Sequence, residues 1–303
     1  MIKYENKEWN EMIIYRYDAF SNVPNKGNPA GVVFDANTLS EAKMQAIAKV
    51  IGFNETAFIL NSEVADIKVR FFTPGHEMNF CGHGTIATIA ALKTKGFLQD
   101  KKSLNIETKA GILPIKIDSN EVGEIVVSSK LAPAEFLSFT GDIDALSKAM
   151  GIEKDEIDTD LPIMYGSAGI WTLLVPIKKL ETFTKMKPVN SSFPDILTDR
   201  PRASIHPFCL ETFDPKAGMH GRHFSSPFSG TKEDAVTGTA SGLMAAYYAK
   251  YIKCSDQISI EIEQGQEIGK DGRVKLDVDF KDGIYQIVMS GTAIYVSELE
   301  VCI

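Results

Sequence analysis

One pattern occurs twice in this chain and constrains the fold more than any other feature. The first copy runs Arg70, Phe72, Thr73, Pro74, Glu77, Cys81, Gly82, and the second Arg222, Phe224, Ser225, Pro227, Glu233, Thr237, Gly238. Each copy leads into a run of small and apolar residues, GHGTIATIAAL from Gly82 and GTASGLMAAYY from Gly238. Cys81 and Thr237 are 156 residues apart, and the Ile-Glu pairs at 106–107 and 260–261 are 154 apart, each about half of the 303 residues. Two similar halves predict two similar domains across a cleft, a usual place for a small-molecule site.

Composition narrows the class. A hydrophobic share of 44% and a charged share of 24% are ordinary for a globular protein. The net charge of -8 excludes a general basic footprint for nucleic acid. The first residues, MIKYENKEWNEM, lack the apolar core and cleavage site of a signal peptide. No run reaches the roughly 18 apolar residues that a membrane span requires. Cysteines at 81, 209, 254 and 302 form no CxxC pair, which predicts reduced thiols and a cytoplasmic location. Asn54-Glu55-Thr56 matches a glycosylation sequon, an accident in a chain without a secretion signal.

Along the chain, Met12–Ala19 and Asp66–Phe72 alternate apolar and polar residues as strands do. Thr38 with Glu41 reads as a capping box, opening a helix that Gly52 ends. Two segments, Gly82–Lys95 and Gly238–Lys253, are apolar nearly all round and predict helices buried on every side. Strands are expected around both. The domain division is expected at 1–130 and 131–289, with a strand from 290–303 returning to the first domain.

Five strings now carry a family resemblance: DAF…GNPAGVVF (Asp18–Phe34), NETAFI (Asn54–Ile59), FFTPGHEMNFCGHGT (Phe71–Thr85), EDAVTGTASG (Glu233–Gly242) and EQG (Glu263–Gly265). The sequence resembles the phenazine-biosynthesis isomerase-like family, within the diaminopimelate epimerase superfamily. That resemblance implies an α+β fold of two pseudo-symmetric domains, each a mixed β-barrel around a central α-helix. It implies proton transfer without a cofactor. It places the acid/base glutamate on Glu55, the site histidine on His83, the site aspartate on Asp234 and a small hydroxyl residue on Thr239. Gly82 and Gly238 match glycines whose backbone lines the site, and Gly84, Thr237 and Cys81 join the expected substrate-binding set. Two departures stand out. Cys81 falls where the superfamily's racemases and epimerases carry a catalytic thiol, while their second thiol falls on Thr237. Ala235 replaces a common proline.

The residues themselves allow plainer roles beside these. Glu55 follows a helix end and precedes an apolar strand, where partial desolvation suits a carboxyl group to proton shuttling; a solvated loop glutamate is the ordinary alternative. His83 could relay a proton or pack on the helix start. His76, Cys81 and His83 match no standard zinc spacing, so no metal is expected. Glu233 and Asp234 precede a helix, whose dipole favours acids. Gly82 and Gly238 open helices whose free N–H groups bind anions, or they serve tight packing. Cys81 is either a thiolate base or a small buried hydrophobe. No GxGxxG or GxxxxGK[ST] motif supports nucleotide binding.

These observations predict a cofactor-free isomerase of a small carboxylate-bearing metabolite. The expected partners are that small-molecule substrate and, at most, a second copy in a homodimer, with no nucleic acid and no membrane. Two rivals remain: an epimerase, racemase or dehydratase that depends on Cys81, and a non-catalytic ligand-binding protein that retains the cleft.

Overall fold

A strand placed beside its sequence neighbour leaves one apolar face uncovered, and each half of this chain covers that face with a helix threaded through its own curled sheet. The computed structural model describes residues 11–302. In the first half, Glu11–Ala19 pairs antiparallel with Asn28–Val33, which runs parallel to Glu55–Leu60. Glu55–Leu60 pairs antiparallel with Ile67–Phe72, which runs parallel to Ser103–Thr108. A meander through Gly111–Ser119 and Ile125–Lys130 completes it. The second half repeats the scheme. Met164–Ser167 pairs with Trp171–Pro176, which runs parallel to Ser204–Cys209. Met219–Gly221 runs parallel to Gln257–Gln264, and a meander follows through Gly272–Lys281 and Ile284–Gly291. The halves are joined where Ile125–Lys130 pairs antiparallel with Ile284–Gly291. The strand Ala293–Cys302 then pairs with Glu11–Ala19. This is the α+β arrangement expected, two mixed barrels each around one helix.

The first central helix spans Gly82–Thr94, and every residue from Gly82 to Leu92 is buried. Ile86, Ile89 and Leu92 supply apolar bulk, roughly 2 kcal/mol for each side chain removed from water. Ala87, Ala90 and Ala91 let the surrounding strands come close. Its buried threonines need partners, and they find them one turn back: Thr85 Oγ1 donates to the Cys81 carbonyl at 2.8 Å and Thr88 Oγ1 to the Gly84 carbonyl at 2.7 Å. The second central helix is α-helical over Gly238–Tyr247 only. Tyr248–Lys253 continues it in wider π turns, closed by Cys254 in the left-handed region at φ 49°.

The two helix starts meet at one strand. A Cβ on Gly82 would stand 2.9 Å from Met289 Cε, and one on Gly238 would stand 2.3 Å from Met289 Sδ and 2.8 Å from Phe20. A side chain at Gly82 would displace the end of Met289, and one at Gly238 would displace both Met289 and Phe20.

An outer helix covers each barrel. Glu41–Ile51 packs Met44, Ile47 and Ala48 on Ile14, Val33, Phe58 and Phe72. Its N-cap is Ser40, whose side chain accepts from the Lys43 N–H. Thr38 instead ends a 3-10 turn, so the N-cap lies two residues later and the expected Thr38–Glu41 capping box does not form. Gly52 ends the helix as expected, at φ 69°. Ile143–Met150 plays the matching part in the second half, packed with Tyr165, Leu173, Ile205 and Phe224. Among the described residues no helix is long and apolar enough to cross a membrane.

The repeated Arg and Glu of the sequence pattern form equivalent ion pairs. Arg70 binds Glu77 through Nε at 2.7 Å and Nη2 at 2.9 Å. Arg222 binds Glu233 in the same bidentate manner at 2.8 and 2.7 Å. Each pair spans a short ribbon, Phe72 opposite Glu77 and Phe224 opposite Glu233. Glu233 thus serves Arg222; it lies outside the first turn of the helix, and the dipole role read from sequence does not apply. Arg222 is buried and also donates to the Phe183 carbonyl at 2.7 Å, whereas Arg70 keeps a second acid, Glu41, at 2.7 Å. Removing one partner of a buried pair strands the other charge, at about 3 kcal/mol or more. Glu233→Ala is expected to cost about that much in urea unfolding, and Glu77→Ala distinctly less, because Glu41 still faces Arg70. Equal losses in the two variants would contradict this assignment.

Candidate active site

The cleft between the barrels is walled by both ribbons, both helix starts and the ends of strands from each half. Its lining includes Asn54, Glu55, Cys81, Gly82 and His83 from one side and Ser204, His223, Asp234, Thr237, Gly238 and Thr239 from the other. It has room for about 160 Å³ of water-sized molecules. Glu55 opens the strand Glu55–Leu60 next to Ala30, so the parallel pairing sets its position at the strand mouth.

Glu55, His83 and Cys81 form a chain through the imidazole ring. Glu55 Oε2 lies 3.0 Å from His83 Nε2, without the alignment of a formed hydrogen bond, and the side chains are 14% and 5% exposed. The other ring nitrogen, Nδ1, faces Cys81 Sγ at 3.4 Å. Cys81 is the N-cap of the first central helix, and its sulfur accepts the Gly84 N–H at 3.2 Å. Burial pushes the Cys81 thiol up, and the nearby Glu55 charge adds to this, so the sulfur stays protonated at neutral pH. Burial alone would lower the His83 ring. The negative charge it faces, at Cys81 when ionised and at Glu55, outweighs burial and raises it well above the usual value. Since the Cys81 thiol stays protonated, Glu55 is the charge that counts.

These three groups place candidate ligand atoms within 4.8 Å of one another and are the residues that could hold a metal. Each ring nitrogen already faces a different neighbour, however. The order sulfur, Nδ1, ring, Nε2, carboxylate is the geometry of a proton relay rather than a set converging on one ion.

Across the cleft the carboxylate of Asp234 is held by three side chains. Its Oδ1 accepts from Asn28 Nδ2 at 2.7 Å and from Asn54 Nδ2, and its Oδ2 accepts from Thr237 Oγ1 at 2.5 Å. Gln264 ties the same turn down, accepting the Thr237 N–H at 3.0 Å and donating to the Asp234 carbonyl at 2.8 Å. Asp234 does not touch His83 directly. Asn28 stands between them, its Nδ2 3.3 Å from His83 Nδ1.

The helix starts supply donors. Thr85 N–H and Ser241 N–H close the first helical bonds, and Gly84 N–H is taken by Cys81. The N–H groups of Gly82, His83, Gly238, Thr239 and Ala240 have no protein partner among the described residues, and all five residues line the cleft. Five free N–H groups from two facing helix ends form a cradle for an anion.

Most of the residues expected from sequence thus come together: Glu55, Cys81, Gly82, His83, Asp234, Thr237, Gly238 and Thr239 all line the cleft. Gly84 does not. It sits one step into the helix against Phe71, with its N–H on Cys81. Sequence reasoning missed Asn28, Asn54, Gln264, His223 and Arg202. Asn28 lies in the GNPAGVVF string, opens a strand and is 0% exposed. The NETAFI and EQG strings contain Asn54 and Gln264, so the signal was present without an assigned role.

Fold and site together define an enzyme of the isomerase class. The chain belongs to the phenazine biosynthesis-like protein family, whose model matches residues 17–299. It is 50% identical over 285 residues to an uncharacterized isomerase, YfhB, of Bacillus subtilis, covering 94% of this chain and 97% of that one. It is 31% identical over 254 residues to the trans-2,3-dihydro-3-hydroxyanthranilate isomerase of Pseudomonas chlororaphis, covering 84% and 85%. Among solved structures, a phenazine biosynthesis protein of the PhzF family from Bacillus anthracis superposes with a TM-score of 0.94 at 53% identity, covering 97% of this chain and 100% of that one.

The charge on His83 has a consequence for stability. Its folded value lies above the unfolded value of about 6.5, so its contribution is complete below that pH and is lost as pH rises through the raised folded value. His206 and His223 behave oppositely. Burial lowers both, His223 to about 4, so their contribution is lost as pH falls from about 6.5. The stability penalty of His83→Asn should therefore be largest near pH 6 and shrink toward alkaline pH in urea unfolding. A penalty independent of pH would mean that the folded ring is not charged.

Proposed function

We propose that the chain is a cofactor-independent isomerase of a small carboxylate-bearing metabolite, with Glu55 as the proton carrier. The observation that carries this reading is the Glu55–His83 pair facing free backbone donors across a small cleft. The Glu55 carboxylate takes a proton from a carbon activated by a conjugated alkene or carboxylate. The C–H electron pair moves into that system. Negative charge develops on the substrate carboxylate, where the N–H groups of Gly82, His83, Gly238, Thr239 and Ala240 stabilise it. Glu55, now protonated, returns the same proton to another carbon of the skeleton. One C–H bond breaks, one forms and a double bond moves, so no oxidant or reductant is required.

His83 holds the carboxyl group in place and offsets its charge through Nε2. Asp234, oriented by Asn28, Asn54 and Thr237, keeps a fixed acceptor surface toward a substrate amine or hydroxyl. Arg202 lines the same cleft and offers a cation to a carboxylate near its mouth. The name of the Pseudomonas relative describes a cyclic carboxylate with an amine and a hydroxyl, which is the chemistry this cleft complements.

A thiol mechanism finds less support. Cys81 is held protonated, and Thr237 across from it spends its hydroxyl hydrogen on Asp234. A binding-only role leaves the Glu55–His83 relay without purpose.

The test is turnover and solvent-deuterium uptake, with trans-2,3-dihydro-3-hydroxyanthranilate as first substrate and a metabolite panel beside it. Glu55→Gln keeps shape and removes the titratable oxygen, and should lower turnover about 100-fold or more while binding survives. Cys81→Ala should cost far less, and His83→Asn should fall between. Loss of turnover in Cys81→Ala with Glu55→Gln still active would replace the glutamate shuttle with the thiol reading. Binding without any deuterium uptake would favour a ligand-binding protein.

A further inference from the structure

His223 stands in the cleft with no part in the proton relay, and the hydrogen bonds behind it determine which face it turns to a ligand. The chain of reasoning begins at His206, which is fully buried. Its Nε2 lies 2.9 Å from Met244 Sδ. A thioether offers only lone pairs, so the ring hydrogen of His206 sits on Nε2. The contact is built in. Gly221 leaves the space, since a Cβ there would stand 2.8 Å from His206 Nε2 and 3.2 Å from Met244 Sδ.

With its hydrogen on Nε2, His206 presents a bare Nδ1, which lies 3.2 Å from His223 Nδ1. Two bare nitrogens at that distance would repel, so His223 carries its hydrogen on Nδ1 and donates it to His206. Its Nε2 is then bare. His223 lines the cleft and is only partly buried, and the edge away from His206 is the edge that carries Nε2. His223 also pairs directly with Asp234 across the ribbon, which puts the two side chains on the same face. The first half has nothing comparable, because Phe71 and Met78 occupy the equivalent positions.

We propose that His223 is a specificity-determining residue whose bare Nε2 accepts a hydrogen bond from a substrate amine or hydroxyl, on the same wall as Asp234. This rests on the reading of the cleft as the active site of an isomerase. Burial holds the ring neutral at neutral pH, its value lowered to about 4 despite the opposing pull of Asp234. So weak a base is suited to accept a hydrogen bond and unsuited to store a proton. The ring therefore selects a donor-bearing substrate and leaves proton transfer to Glu55.

The experiment is nitrogen-15 NMR of histidine-labelled protein at pH 7, with His223→Phe identifying the resonance, followed by titration with 3-hydroxyanthranilate, 3-hydroxybenzoate and benzoate. In the free protein His223 should show a protonated Nδ1 and a bare Nε2. Binding of 3-hydroxyanthranilate should move the Nε2 resonance, and benzoate should not. By calorimetry His223→Phe, which copies the residue at the equivalent position, should weaken 3-hydroxyanthranilate about tenfold, a typical cost for one lost hydrogen bond, and leave benzoate unchanged. 3-Hydroxybenzoate, which keeps the hydroxyl and lacks the amine, should lose affinity in the variant only if the hydroxyl is the donor. An Nε2–H tautomer in the free protein would overturn the proposal without any ligand. So would an Nε2 resonance unmoved by bound 3-hydroxyanthranilate, equal affinity in the variant, or no binding of any probe to the wild type. Failure of the shuttle reading is visible separately, as turnover that survives Glu55→Gln while the His223 shift persists.

Discussion

Asn28 has two amide hydrogens, and both cross from one half of the molecule to the other. One goes to Asp234 Oδ1 at 2.7 Å and the other to the Val236 carbonyl at 2.8 Å. The side chain is fully buried, so neither bond can be exchanged for water without cost. With both hydrogens committed, the contact of Asn28 Nδ2 with His83 Nδ1 at 3.3 Å is not a third donated bond. Asn28 therefore separates the two chemical groups while fixing their distance. The acid–histidine pair of the first half and the oriented aspartate of the second are positioned by one amide.

The same duplication that makes the scaffold makes the site unequal. Each half has a parallel strand pair, a ribbon braced by an Arg–Glu pair and a helix opening on glycine. At matching points the halves carry different chemistry. Glu55 faces Ala30 in the first half, whereas Ser204 faces Thr172 in the second, the two hydroxyls bonded to each other. Cys81 caps the first helix through its sulfur, and Thr237 turns its hydroxyl to Asp234 instead. Met78 on one ribbon corresponds to Asp234 on the other. The first half thus concentrates groups that hold a proton, and the second concentrates groups that hold a partner.

The repeat and the two buried helices were legible because they follow local periodicity, and Glu55, His83 and Asp234 because they lie within the contiguous strings that carry the family resemblance. What was illegible depends on distance along the chain. Asn28 and Asp234 are 206 residues apart, and no local rule links an asparagine in one half to an acid in the other. His223 is uninformative until His206 and Met244 fix its tautomer. Glu233 read as a helix acid because Gly238 follows closely, yet a bidentate bond to Arg222 outweighs a dipole that acts only over the first turn. Ser40 rather than Thr38 caps the outer helix, a choice between two similar hydroxyls that sequence alone leaves open.

Cys81 acquires a role from this geometry even without ionising. A protonated thiol facing a neutral imidazole donates to Nδ1 and leaves the ring hydrogen on Nε2. A charged imidazole carries hydrogens on both nitrogens. In either state the hydrogen on Nε2 is the one nearest Glu55, whose Oε2 lies 3.0 Å from that nitrogen. Gly84 N–H fixes the sulfur at 3.2 Å, so the thiol cannot swing away from the ring. On the shuttle reading, the sulfur acts on the tautomer that Glu55 meets, and the glutamate remains the group that exchanges the proton.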